Sequence, residues 1–358
     1  MIRLKNKYKG KAAVSIMGGS SILQNGFDLS LIDKNKYTVF LESKALTPQF
    51  LEFGLKPDFF LMLFPEKCKT NSLQHVMLQS FIMNIDLSNL LRTEHLEEYY
   101  RYRDNFNDYF EPWSAEKGLH KKYKFKNNII LDNSPWKLLE NLSDVDVVSY
   151  DGDDAQRSFG PDIGRLANNK YLYYGRPTKE NFDFDKYFNP EDTDEGVRLN
   201  LYGHVNSSAI SLYPLLNYMG FEKIYFIGMD MSLLGSMEYA ANYTFKSMSH
   251  FNTFFNAARE AYSYDFPRGI KNGLKYFGAS TINNLKNKKY SSEVFKNLFW
   301  DIWGLKGKFI RDRKQFVNCR DLFSYDKIEF VNIYEPFKYA RPVPGIRNIS
   351  YKDFIANQ

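Results

Sequence analysis

A chain of 358 residues is long enough for one large domain or two modest ones around an ordinary core. With 44% apolar and 25% charged residues it reads as a soluble globular protein, and a net charge of +6 is too mild for a nucleic-acid-binding stripe. Two cysteines far apart in sequence, Cys68 and Cys319, read as reduced thiols in preference to a disulfide framework, and no apolar run reaches the about 18 residues that a membrane span needs.

The first 17 residues are basic and then apolar only over "AAVSIM" before Gly18, so they read as a first strand, not a signal peptide, and the expected location is the cytoplasm. "GGSS", Gly18–Ser21, is the turn after that strand, 12–17. "YTVFLES", 37–43, is a second strand. Thr47 and Pro48 open a short helix as cap and first residue, Gly54 closes it, and a third strand spans 59–63. Strand, helix, strand, helix, strand in sixty-odd residues is the pattern of a parallel sheet.

Next, 73–91 reads as a helix, and "NNIIL", 127–131, and "VDVVSY", 145–150, as short strands. Residues 151–200, rich in Asp, Gly, Pro and Asn, read as surface loops and a lid around a strand "YLYYG". Asn206 or Ser207 caps a helix over 208–219, with Pro214 as its irregularity, and Gly220 follows. A strand spans 223–227, helices cover 245–262 and 290–310, a late strand 327–333, and "ISYKDFI" closes the chain. The whole is read as a Rossmann-like α/β domain over 1–265, its mostly parallel sheet flanked by helices on both faces, with a helical portion over 266–358 packing back on it.

In an open parallel sheet, ligands bind beyond the carboxyl ends of strands. Two loops fall at such ends. The paired glycines of Gly18–Ser21 permit close backbone approach to a phosphate, the alternative being an ordinary tight turn. The strand "KIYFI" ends in Gly228-Met229-Asp230, where the acid either faces the ligand crevice or caps the next segment. The cluster "DGDD", Asp151–Asp154, lacks the glycine and distal Glu of a calcium loop and reads as a solvated acidic loop, and no spacing suggests a metal site. The aromatic and basic stretch 294–314 reads as a core helix ending in a solvated loop or as a peripheral membrane contact at the inner face of the membrane.

"IMGGSSIL" at Ile16–Leu23 resembles the glycine-rich opening of a bacterial and archaeal superfamily. It comprises motility-associated factor glycosyltransferases, 6-hydroxymethylpterin diphosphokinase-like proteins and glycosyltransferase family 42 sialyltransferases. Asn206–Ser232 is similar to their second signature, a capped helix, Gly-Phe, a strand and Gly-x-Asp. "GLKPDFFLML" resembles their third-strand entry, and Lys327–Phe354 their closing strand, loop and helix. The chain departs from the members that bind CMP-sugars at Gly19, Glu42–Ser43 and Phe64–Pro65, where those carry Asn or Asp.

The resemblance implies a glycosyltransferase that uses a CMP-activated acidic sugar, of sialic or nonulosonic type, to build a surface glycan. Gly18, Gly19, Ser20, Ser21, Ser43, Asn206, Ser207, Ser208 and Tyr239 would then hold nucleotide and phosphate, and Asp230 would organise the crevice. Histidine is the natural general base for a sugar hydroxyl, and His250, twenty residues beyond Asp230, fills that role in this reading. The expected partners are a nucleotide-sugar donor and a glycan acceptor, with no tightly bound cofactor and with Mg²⁺ as an optional aid. The other readings are a pterin-type diphosphokinase using ATP and Mg²⁺, and a member of the fold without catalysis.

Overall fold

The structure is a computed structural model. It describes residues 4–19, 21–24, 26–43, 45–62, 69–112, 123–126, 129–142, 145–150, 170–175, 191–193, 196–199, 215–229, 244–263, 328–336, 342–343 and 345–358. The chain divides into two compact units. The first comprises Met1–Asn71, Ile130–Tyr239 and Arg311–Gln358, the second Ser72–Ile129 and Ala240–Ile310.

The first unit is built on a ten-stranded sheet. Its strands are β1 (Ala12–Ile16), β2 (Tyr37–Glu42), β3 (Phe59–Met62), β6 (Asp146–Tyr150), β7 (Lys170–Gly175), β8 (Glu191–Thr193), β9 (Gly196–Leu199), β10 (Lys223–Ile227), β11 (Glu329–Ile333) and β12 (Arg347–Ile349). They lie in the order β12-β11-β10-β1-β2-β3-β6-β7-β9-β8. All neighbours are parallel except the edge strand β8, which runs antiparallel to β9. The expected α/β Rossmann-like sheet is therefore present. The six strands β3-β2-β1-β10-β11-β12 carry the doubly wound order 3-2-1-4-5-6. The chain steps outward from β1 on one side, then returns to the other side of β1 as β10. The strand order thus reverses between β1 and β10.

Strands covered on both faces read as continuous apolar runs, and every residue of β2 and β3 is buried. One face carries Val14, Ile16, Val39, Leu41, Tyr225, Ile227 and Val331. Helices cover it, and of their starts the one at Thr47-Pro48 was legible in the sequence. Thr47 Oγ1 accepts the Phe50 N–H at 3.2 Å to cap Pro48–Glu52, and Ser134 caps Pro135–Leu139 in the same way. The closing helix Tyr351–Ala356 is capped by Ser350 and drives Phe354 between Tyr37 and Tyr225, with ring centroids 5.4 and 5.0 Å away.

The other face is a ladder of rings. Phe40 stacks on Phe59 at 4.8 Å, Phe221 meets Phe40 edge-on at 5.6 Å, and Tyr8 stacks on Phe221 at 4.8 Å. On the far side of β1, Phe226 and Phe330 stack at 6.1 Å. Part of the chain's 17% aromatic content is thus core packing. Gly220, with φ +89°, lets residues 215–219, which are helical, turn into β10, and a Cβ there would come within 3.0 Å of the Asn6 backbone.

Three expectations are corrected. The helix expected over 73–91 stops at Ile82, because Asn84 adopts φ 56° and Ile85 N–H returns to the Ser80 carbonyl. In 127–131 the described residues 129–131 are not a strand: Ile129 N–H donates to the Lys126 carbonyl in a turn, and Leu131 N–H to the distant Lys69 carbonyl. Within 151–200, Glu191–Thr193 and Gly196–Leu199 form β8 and β9 at the sheet edge, where loops were expected. Helix 245–262 is Met248–Ser263, while 290–310 and most of 208–219 lie outside the described residues.

The described residues of the second unit are mainly helical. Ser72–Ile82 packs with Leu96–Asp104 and the short helix Phe106–Tyr109. An antiparallel pair, β4 (Phe110–Pro112) and β5 (Tyr123–Phe125), follows, and Leu91 bridges to Phe245. Its buried residues include Gln74, Gln79, His95, Glu98 and Thr244. Glu98 Oε1 accepts from Gln74 Nε2 at 2.8 Å and from the Tyr102 hydroxyl at 2.6 Å.

Candidate functional site

The reversal of strand order fixes where a ligand crevice forms, outside the carboxyl ends of β1 and β10. The register pairs Ile16 with Ile227, so the turn beginning at Gly18 and the Gly228-Met229 loop leave the sheet side by side. The Met17 N–H donates to the Ile227 carbonyl at 2.8 Å, extending the ladder one step into the turn.

Gly228 joins the two loops most tightly. Its φ is +75°, and a Cβ there would stand 2.7 Å from the Met17 carbonyl oxygen, 2.8 Å from Ile22 Cδ1 and 3.2 Å from Gly19 N. Only a residue without a side chain fits both the backbone conformation and the space. The two turns therefore meet here through Met17 and Gly19 backbone and the Ile22 side chain, at the place where doubly wound sheets receive a phosphate or a ribose.

Gly18 is half-buried and Gly19 buried at this edge. Ser21 is buried and opens the helix Ser21–Gln24, which is a single turn and carries little of a macrodipole. Any hold on an anion here falls to the backbone of the turn, not to a long helix. Ser43 stands at the end of β2, beside β1, half-buried with its N–H on the Leu61 carbonyl at 3.1 Å. Gly18, Gly19, Ser21 and Ser43 thus share the carboxyl edge of the sheet. Ser20, Asn206, Ser207, Ser208, Asp230 and Tyr239 lie outside the described residues, as do Asp151–Asp154 and 294–314.

His250 belongs to the second unit, in the first turn of the helix Met248–Ser263. Ser247 Oγ accepts its backbone N–H at 3.4 Å and lies 2.6 Å from its Nδ1. With the proton on Nδ1 the ring donates to Ser247 and leaves Nε2 as an acceptor, the tautomer that a general base requires. The opposite tautomer makes the pair a helix cap alone.

Two residues were not read from the sequence as part of the site, Glu42 entering there only as a departure from the CMP-sugar-binding members. Glu42 ends β2 with only 6% of its surface exposed, in the place where doubly wound folds set an acid for ribose hydroxyls. Its signal was available: "YTVFLE" is an apolar strand ending in an acid, the feature that drew attention to Asp230. The second is Gly228 as a contact residue, which no local pattern announces.

Among the described residues, no group of three or more His, Cys, Asp or Glu is placed to hold a metal ion, and no helix is long and apolar enough to cross a membrane. No family model matches the chain, and no curated protein or solved structure matches it.

Proposed function

We propose that the first unit binds a nucleotide at the switch point between β1 and β10, and that the chain is a glycosyltransferase taking a CMP-activated acidic sugar to a glycan acceptor. The observation that supports nucleotide binding is the pair of glycine turns in mutual contact where the strand order reverses. The choice of donor rests on the resemblance of Ile16–Leu23 and Asn206–Ser232 to the sugar-transferring members of the superfamily.

In this reading the Gly18–Ser21 turn and residues 206–208 hold nucleotide and phosphate, Ser43 and Tyr239 flank them, and Asp230 organises the crevice. His250 Nε2 removes the proton from the acceptor hydroxyl as that oxygen attacks the anomeric carbon. The bond from that carbon to the nucleotide phosphate breaks, and the leaving phosphate is stabilised by backbone N–H groups.

Calorimetry of the intact chain with CMP, CDP and ATP, each with and without Mg²⁺, tests the proposal. The expected result is binding of CMP or CDP in preference to ATP. Tight Mg²⁺-dependent ATP binding would point instead to the diphosphokinase reading, and no nucleotide binding to a member of the fold without catalysis. His250→Ala should leave nucleotide affinity intact while lowering transfer by roughly a hundredfold to ten-thousandfold, the usual range for losing a general base.

A further inference from the structure

The second unit holds an open cleft of about 510 Å³, within the range of small-ligand sites. It is formed at the end of helix Ser72–Ile82 and along Leu96–Phe106. Its wall is aromatic. Phe81 stacks on Tyr99 at 5.3 Å, Phe106 meets Phe81 edge-on at 6.1 Å, and Tyr123 meets Phe106 edge-on at 5.0 Å. Tyr99 is buried, but Phe81, Phe106 and Tyr123 stay partly exposed. Apolar ring surface left open to water in a concave site is surface that a ligand can cover.

The rim is polar and of mixed sign. Asp86 is fixed in place: Oδ1 accepts the Ser88 N–H at 2.9 Å and the Tyr99 hydroxyl at 3.4 Å, and Oδ2 accepts the Ser88 hydroxyl at 3.0 Å. The Ser88 backbone N–H, and then its hydroxyl, hold the Asp86 carboxyl below its ordinary range, so it is an ionised acceptor at neutral pH. Arg103 is pinned from the other side, its Nε on Asp104 Oδ1 at 2.8 Å and its guanidinium 4.7 Å from the Tyr100 ring centre. That leaves its terminal nitrogens as donors. Asp104 already pairs with the Arg103 guanidinium, so Asp86 leaves the rim with an excess of one carboxylate, and it offers acceptors and donors without attracting anions. Such a rim does not select a phosphate or another anion.

A flat molecule with an apolar C–H face and hydroxyl edges matches both features, whereas a peptide side chain would use the wall and leave the rim idle. We propose that this cleft binds an uncharged oligosaccharide, with a pyranose ring against Phe106 and Tyr123 and its hydroxyls on Asp86 and Arg103. The proposal does not depend on the nucleotide reading, because every residue named belongs to the second unit.

Saturation-transfer NMR of the intact chain with lactose, maltose and cellobiose tests it, since weak sugar binding is visible there. The expected result is transfer to the ring C–H protons of at least one sugar, with a dissociation constant of about 1 mM or below. Tyr123→Ala and Phe106→Ala should weaken that affinity at least fivefold. Asp86→Asn keeps the size and the turn of the rim residue, so it should fold as the parent does and still lose about tenfold. No transfer from any of the three sugars at about 20 mM overturns the proposal. So does transfer that all three variants leave unchanged, or displacement of the sugar by inorganic phosphate or by a tyrosine-containing tripeptide at lower concentration.

Discussion

The two units keep polar groups in different places. In the first, the sheet interior is mainly apolar, with Ser15, Thr38 and Asn332 as buried polar exceptions within strands, and Gly18, Gly19, Glu42 and Ser43 gather at the carboxyl edge. In the second, buried polar side chains sit among the helices themselves, with Glu98 joining Gln74 of one helix to Tyr102 on its own. A parallel sheet satisfies its backbone within the ladder and leaves side chains free to be apolar. Short helices joined by turns must be fixed relative to one another, and a buried hydrogen bond does so with more directional precision than ring packing.

The first way to break this contrast is Phe40→Ala. The ring lies between Phe59 and Phe221 and is fully buried, so its loss should cost about 3–5 kcal/mol in urea unfolding. Gly228→Ala comes next. Left-handed strain and crowding against the Met17 carbonyl should together cost about 2–5 kcal/mol. Gly10→Ala is the control, for Gly10 shares a φ of +75° but has open space around it. It should cost about 1 kcal/mol, the strain alone. Equal losses at the two glycines would show that the two crevice turns are not in tight contact. In the second unit, Gln74→Met should cost about 1–3 kcal/mol by taking from buried Glu98 the donor that crosses between the two helices. If this substitution costs nothing, the polar bond does not fix the two helices, and the contrast between the units falls.

The first unit was the more legible of the two, and for a physical reason. Strands covered on both faces are apolar runs cut by Gly, Pro and capping Thr, so β1, β2, β3 and β10 could be bounded to within a residue or so of their observed ends. The edge pair β8 and β9 was missed because "EDTDEGVRL" is charged, as edge strands often are. In the second unit the apolar residues Ile85, Leu87, Leu90 and Leu91 continue the helical rhythm past Asn84, and periodicity follows them. The stop is made by a left-handed Asn and by Asp86 turning back onto Ser88, which are local backbone events. At the crevice, the glycine turn after β1 was readable from residue type. The contact of Gly228 with that turn joins positions about two hundred residues apart in sequence, which no local pattern encodes.

The last effect shows only in alkali. Tyr37 and Tyr351 both border Phe354, and burial, the larger cause in each case, pushes both phenols up to about 12. The Tyr225 phenol adds to the shift at Tyr37, and the Asp28 carboxylate at Tyr351. In the unfolded chain both titrate near 10. A raised pKa in the fold means that the neutral form is favoured there. The associated stability is complete below about pH 10 and is lost as pH rises toward about 12. Tyr99 of the second unit is raised in the same direction, chiefly by burial, so some alkaline loss belongs to that unit as well. Urea midpoints measured at pH 8, 10 and 11.5 should therefore fall steeply in the last step. In Tyr37→Phe the fall should be shallower, with little change at pH 8 beyond the loss of one hydroxyl. Tyr99→Phe should flatten it less, because its hydroxyl accepts the Leu87 N–H, a bond that lowers its pKa and opposes the burial. An alkaline slope that neither substitution changes would place the titrating groups outside these two clusters and remove the pH link to the closing helix.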